Sequence, residues 1–124
     1  MRRKEGTGLV RNERKVLAAA LRLAFAGECA LYGYELFARL HEWEGEAPMD
    51  HGTLYRCLRA LEARELFTSE IDQSTSRIRV VYRLTPAGEA AARKAMIQLA
   101  AEQTPPAWVD IALVTQPLPP FSTA

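Results

Sequence analysis

A chain of 124 residues has room for one hydrophobic core with an appended arm or tail, and 48% hydrophobic with 25% charged residues excludes wholesale disorder. The net charge of +1 hides an asymmetry, because residues 1–15 hold six Lys/Arg against two acids, while the remainder holds ten bases against thirteen acids. A basic arm on a mildly acidic body suits a polyanion touched at selected places and excludes a uniformly positive coat.

Residues 1–11, with Gly6 and Gly8 among charges, read as a flexible basic arm in which Arg2, Arg3 and Lys4 are candidate phosphate contacts. MRRK followed by VLAAALRLAFA has the rough outline of a secretion signal, but Arg22 interrupts the apolar run and Glu5 and Glu13 dilute the basic flank. No stretch approaches the length a membrane span needs, so the expected location is cytoplasmic. Asn12 is placed to cap a first helix running to about Ala26 and ended by Gly27. Val16, Leu17, Leu21, Leu23 and Phe25 cover more than one of its sides, which fits either the central helix of a monomeric core or a helix shared with a second subunit. Cys29 and Cys57 lie in apolar helical surroundings and read as reduced core thiols.

A second helix is expected over about Tyr32–Trp43, broken by the Gly and Pro of EGEAP (44–48). Asp50 then caps a third helix that runs to about Arg64. Two strands follow, Phe67–Ile71 and Arg77–Leu84, joined by a polar turn over Asp72–Ser76. In the second strand Ile78, Val80, Tyr82 and Leu84 alternate with Arg77, Arg79, Val81 and Arg83, giving one apolar face and one mostly of arginine. Thr85-Pro86 opens a last helix, about Pro86–Glu102, ended by Pro105-Pro106. The fold class is therefore mainly α with a small β-hairpin: a winged helix-turn-helix over residues 12–84, a C-terminal helix over 85–103 and a Pro-rich tail over 104–124.

The third helix, DHGTLYRCLRALEAR (50–64), keeps Leu54, Cys57, Leu58 and Leu61 on one side. The opposite side holds Gly52, Arg56, Arg59 and Ala63, basic or small with no acid to balance it. In a winged helix-turn-helix this helix enters the major groove, about 12 Å wide, where each base pair shows a distinct donor and acceptor pattern. Arg56 or Arg59 can pair bidentately with a guanine, Gly52 lets the backbone approach closely, and His51, Thr53 and Tyr55 sit at the helix start, where phosphate is favoured. Arg77 and Arg79 form a second candidate contact near the tip of the wing, with Arg83 towards its base. Each feature alone has a bland account: solvated arginines on the helix, and charges guarding an edge strand on the hairpin. Their conjunction points to double-stranded DNA.

Three segments carry a family resemblance: LYGYELFARL (31–40), GTLYRCLRALEARELFTSE (52–70) and VYRLTPAGEAA (81–91). In order and spacing the chain resembles the PadR-like transcriptional regulators over about residues 16–100. The resemblance implies a homodimeric winged-helix repressor, dimerised through the C-terminal helices and often the first. By position it implies DNA contacts by Tyr34, Thr53 and Tyr55, and a dimer arm at Pro86–Glu102; Leu21, Met96, Ile97 and Leu99 are the expected dimerisation residues. The chain departs from the family pattern at Tyr32, where His is usual, at Arg56, where Pro is usual, and at Glu65, where Gly is common. Some members hold flat aromatic compounds with aromatic residues of the last helix. Residues 86–102 contain none, which argues against such an effector pocket and leaves Trp108 as the nearest substitute.

The tail TPPAWVDIALVTQPLPPFSTA (104–124) holds five of the seven prolines around an apolar centre, and is expected to dock on the body or on a partner subunit. If it recruits another protein instead, the fold becomes an interaction adaptor, the rival to the DNA reading. His41 and His51 lack partners at metal-ligand spacing, and no glycine-rich phosphate loop or nucleophile motif is present. Neither an enzyme, a metal nor another cofactor is expected.

Overall fold

The computed structural model describes residues 8–45, 49–74 and 76–119. Helix α1 (Arg11–Phe25) is the centre of the molecule: Lys15 to Leu21, Leu23 and Ala24 are all buried, which covers nearly its whole circumference. Helix α4 (Pro86–Ala100) packs along one side through Ala92, Ala95, Met96 and Leu99, and helices α2 (Gly33–Glu44) and α3 (His51–Ala63) close others. Alanines at 18–20, 92 and 95 let these axes come close together. The two-sided apolar pattern is therefore satisfied within one chain. The cap of α1 falls two residues before Asn12, at Val10, whose backbone N–H donates to Glu13 Oε1 at 3.1 Å. An acid at the third helical position reaching back over the first turn does the work that a polar cap would have done.

Strand β1 (Leu31–Tyr32) leads straight into α2, with the Tyr32 N–H donating to Glu35 Oε1 at 2.9 Å. Helix α3 is capped where expected, Asp50 Oδ1 accepting the Thr53 N–H at 2.7 Å. At its other end the Leu66 N–H donates to the Leu61 carbonyl at 2.9 Å, a closure that passes through Glu65 at φ 64. A left-handed residue after a helix is ordinarily glycine, so the chain tolerates a side chain in a conformation that disfavours one.

Strands β2 (Phe67–Asp72) and β3 (Arg79–Leu84) form the wing, with Phe67 opposite Leu84 and Ile71 opposite Val80. The sheet has three antiparallel strands in the order β1-β3-β2, with Leu31 opposite Tyr82, and so extends the expected hairpin by one strand. Two residues are too few to show a period, which is why β1 was invisible in the sequence. At the base of the wing Phe67 and Tyr82 are buried and meet edge to face, with ring centroids 6.2 Å apart. The apolar face does not continue inward: Ile71, Val80 and Ile78 overhang the body and are 63%, 40% and 72% exposed.

Thr85 joins wing to α4 as expected, its hydroxyl accepting from the Gly88 N–H at 2.9 Å and donating to the Glu65 carbonyl at 2.7 Å. Gly88 faces the end of α3 so closely that a Cβ there would lie 1.9 Å from the Leu66 carbonyl oxygen. The tail docks on its own chain. Trp108 is buried beside Trp43, and its indole N–H donates to Glu44, whose other oxygen lies 2.9 Å from the buried Lys15 ammonium. Arg22 donates to the Trp108 carbonyl at 3.0 Å, and Arg93 to the carbonyls of Leu113 and Val114 at 3.0 and 2.8 Å, on a short 3₁₀ segment (Ile111–Thr115). No helix among the described residues is long and apolar enough to cross a membrane.

Two substitutions of opposite sign test the α3–α4 junction. Gly88→Ala must move the Leu66 carbonyl and is expected to cost about 3 kcal/mol in urea unfolding, the upper range for overpacking. Glu65→Gly relieves the left-handed strain and is expected to gain up to about 1 kcal/mol, the relief being partly offset by a freer unfolded chain.

Candidate nucleic-acid interface

The starts of α2 and α3 lie against each other because the Tyr55 ring rests on Gly33: a Cβ at position 33 would lie 2.6 Å from the ring and its hydroxyl. His51, the first residue of α3, stacks on Phe37 of α2 with centroids 3.7 Å apart and planes 16° apart. Leu36, Leu54, Leu58 and Leu61 anchor both helices in the core. The Asp50 carboxyl is held below its usual range by hydrogen bonds from the Thr53 backbone and hydroxyl, with Arg56 and His51 adding attraction. Arg56 Nη2 in turn donates to Thr53 Oγ1 at 3.1 Å.

Above this frame Tyr34 (67% exposed), His51, Gly52, Arg56 and Arg59 face outward, with Thr53 and Tyr55 half-buried between them. The motif residues divide by what the fold asks of them. Gly33 makes room for Tyr55, Glu35 and Thr53 complete caps, and Leu36 and Leu54 fill the core. Gly52 is different, since a Cβ there would meet nothing nearer than the Arg56 guanidinium at 3.6 Å, an ordinary contact. Arg59 takes no hydrogen-bond or ion-pair partner among the described residues.

On the wing, Arg77 is exposed next to the turn. Arg79 is on the last rung of the ladder, but its guanidinium folds back 4.0 Å above the Tyr32 ring and is half-buried, so it does not project as a tip residue. The Tyr32 hydroxyl donates to Asp72 Oδ2 at 2.5 Å, and Asp72 also accepts from the Ser74 hydroxyl and N–H at 2.6 and 2.9 Å. Ser74, then Tyr32, lower the Asp72 carboxyl to about 2. This cluster joins β1, β2 and β3, and a sequence reading had no means to find it before β1 was known.

Arg2, Arg3 and Lys4 lie outside the described residues. Much of the remaining basic charge near the N-terminus is consumed internally: Arg11 makes two hydrogen bonds of 2.8 Å to Glu102, and Lys15 pairs with Glu44. Of the four expected dimerisation residues, Leu21, Met96 and Leu99 are fully buried in the chain's own core, and Ile97 alone is exposed, at 47%. Trp108 is buried too, so it offers no open aromatic platform. Cys57 is a core thiol whose pKa burial raises, whereas Cys29 is only half-buried.

The model of the transcriptional regulator PadR-like family matches residues 23–94, more than half of the chain. The chain belongs to this family. A PadR family transcriptional regulator from Eggerthella lenta is similar at 32% identity and TM-score 0.52, over 70% of this chain and 74% of that one. H. salinarum RosR is similar at 26% identity and TM-score 0.51, over 77% and 82%. A PadR family transcription regulator from Clostridium difficile shares the fold at 24% identity and TM-score 0.53, over 67% and 86%. No curated protein matches the sequence. PadR-family regulators bind DNA, and the four helices and three-stranded sheet of this chain are the winged-helix architecture of that family.

The Asp72 cluster makes a pH prediction. A carboxylate near 3.9 when unfolded and about 2 when folded stabilises the fold fully above its unfolded pKa, and that contribution is lost as pH falls towards the folded value. Asp72→Ala is therefore expected to lower the melting temperature at neutral pH, with the gap from the unmodified protein closing as pH falls to about 2. A gap independent of pH would exclude the ionised hydrogen bonds as its cause.

Proposed function

We propose that this PadR-family regulator acts as a homodimeric, sequence-specific repressor, with α3 in the major groove and the wing on the adjacent backbone or minor groove. The observation that carries this reading is the outward side of α3, where Gly52 and Arg59 lie exposed with no structural task that requires them and exposed Arg56 makes only a local hydrogen bond to Thr53. Arg56 and Arg59 are the base-reading candidates. Tyr34, His51, Thr53 and Tyr55 surround the helix start, where phosphate is favoured. On the wing Arg77 is the outward cation, and Arg79 is the inner one held over Tyr32. Exposed Ile71, Ile78 and Val80 give the wing tip an apolar surface of the kind that packs against sugars and base edges in a minor groove.

One module makes few contacts, and two related by a twofold axis span half-sites about 34–36 Å apart. With Leu21, Met96 and Leu99 committed to the core, the face of α4 left for a second copy runs through Ala90, Lys94 and Ile97 to Ala101 just past its end. The adaptor alternative drew on an apolar tail free to recruit a partner; residues 105–119 instead pack on their own chain, which favours the DNA reading. A DNA-bound regulator of this kind belongs in the cytoplasm, on the nucleoid.

Fluorescence anisotropy with DNA from upstream of the chain's own gene, beside a scrambled duplex, tests the reading. Arg56→Ala is expected to weaken specific binding by about 1–3 kcal/mol. Gly52→Ala is expected to melt no lower than the unmodified protein, because the site has room and alanine favours helix, yet to bind DNA more weakly. Unchanged affinity in both variants would exclude α3 as the reading helix. Separately, Ile97→Glu is expected to shift sedimentation from dimer to monomer; a dimer that persists would place the interface elsewhere.

A further inference from the structure

A cavity of about 320 Å³ lies away from the proposed DNA face, between α1, β1, the β3–α4 junction and the tail. Its apolar wall is Ala20 and Ala24 of α1, Leu31 of β1, Leu84 and Pro86 at the junction, and Leu118 of the tail. No aromatic ring lines it. A volume near 300 Å³, with mostly apolar walls and a few polar groups, is the lower end of what small-molecule sites use.

The polar groups on this wall are unequal. Glu89 is already neutralised by Arg93, with N–O distances of 2.7 and 3.3 Å. The Thr85 hydroxyl is spent between the Glu65 carbonyl and the Gly88 N–H. Arg83 is half-buried, and its guanidinium has no hydrogen-bond or ion-pair partner among the described residues. An arginine beside an apolar hollow, with the acid on the same wall already paired, is complementary to a planar anion that brings its own apolar body. We propose that this cavity binds a small aliphatic carboxylate, the carboxylate on Arg83 and the chain along the Ala20–Ala24 and Leu84 walls.

The chemistry of the wall selects the body of the ligand. Flat aromatic compounds gain from stacking on rings, and this wall has none, whereas an alkyl chain gains from any apolar surface it covers. Leu31 immediately precedes the cap of α2, and Leu84 ends the strand of the wing, so the ligand would touch both elements that set the DNA-binding frame. Such a ligand alters DNA affinity only to the extent that it prefers one form of the protein.

Binding is tested on the full chain without DNA, so the result is independent of the DNA reading. Calorimetric titration with octanoate below its micelle concentration is expected to show saturable binding to one site per chain. Arg83→Gln is expected to weaken it about tenfold or more, the scale of a lost charge-assisted hydrogen bond. Ala24→Leu fills the cavity and is expected to abolish binding. Octanoate is also expected to slow labelling of Cys29 by a thiol reagent, while buried Cys57 stays silent in the folded chain. Absence of binding, equal affinity for octanol, or undiminished affinity in Arg83→Gln would overturn the proposal. Tighter binding of benzoate than octanoate would overturn the aliphatic assignment. If Ala24→Leu fails to fold, Arg83→Gln and the octanol comparison decide the matter.

Discussion

The contact between the Tyr55 ring and Gly33 sets the geometry on which the proposed recognition surface depends. A ring seated where a Cβ would be at the first residue of α2 leaves α3 little freedom to roll or slide. His51 stacked on Phe37 fixes the same junction one turn away, and the caps at Tyr32 and Asp50 define where each helix begins. A helix that reads base edges must hold its side chains to a fraction of an ångström, and rigid elements achieve this better than loops. Tyr55 illustrates how one residue serves two ends: its ring is part of this junction, while its position near the start of α3 makes it a candidate for phosphate.

The body behind this frame is organised by α1 and by the network that crosses its end. Lys15 is 4% exposed, and a lone ammonium so placed would be strongly unfavourable. Glu44 from the end of α2 supplies its counter-charge and also accepts from Trp108 of the tail, so a single carboxylate ties three remote segments together. A buried ion pair is weak evidence of stability, because desolvation offsets much of the attraction. Its clearer consequence here is specificity: α1, α2 and the tail have to meet in one register. It also removes Lys15 from the positive surface, as Glu102 removes much of Arg11's charge. Among the described residues, the exposed basic side chains include Arg56 and Arg59 on α3, Arg77 on the wing and Lys94 on α4.

Local chemistry was legible in the sequence wherever it was carried by neighbours along the chain. The Asp50 cap, the Thr85-Pro86 start of α4, the apolar side of α3 and the two wing strands all rest on such spacings. Features decided by distant partners were not. Asn12 is the better capping residue by type, yet Glu13 lets the helix begin after Val10. The alternation of β3 was visible, but where the body stops beneath it was not, and so Ile78 and Val80 are exposed. Leu21, Met96 and Leu99 suited a dimer face equally well until α1 and α4 were seen to pack on each other. Arg79 suited a wing tip until β1 placed Tyr32 beneath it. Among the candidate site residues, the structure divides the members by task, into those that pack or cap and those left facing outward.

That division is what strengthens the functional reading. Family membership establishes a DNA-binding regulator and leaves open which side chains do the reading. A side chain already required by packing or capping can be explained without a ligand, and so says little about one. Gly33, Glu35, Leu36, Leu54 and Gly88 are of this kind. Tyr34, Gly52 and Arg59 are not, and Arg56 makes only an exposed hydrogen bond to Thr53; Gly52, Arg56 and Arg59 share the outward side of α3, with Tyr34 near the start of α2. The same subtraction applied on the far side of the sheet leaves Arg83 beside an apolar hollow, once Glu89 and Thr85 have been assigned their partners. The wing strands join the two places, since β3 carries Arg79 at one end and Arg83 and Leu84 at the other. An occupant of the hollow would thus touch Leu31, next to the cap of α2, and Leu84, at the end of the wing strand, and it changes the surface offered to DNA only if it prefers one arrangement of those elements.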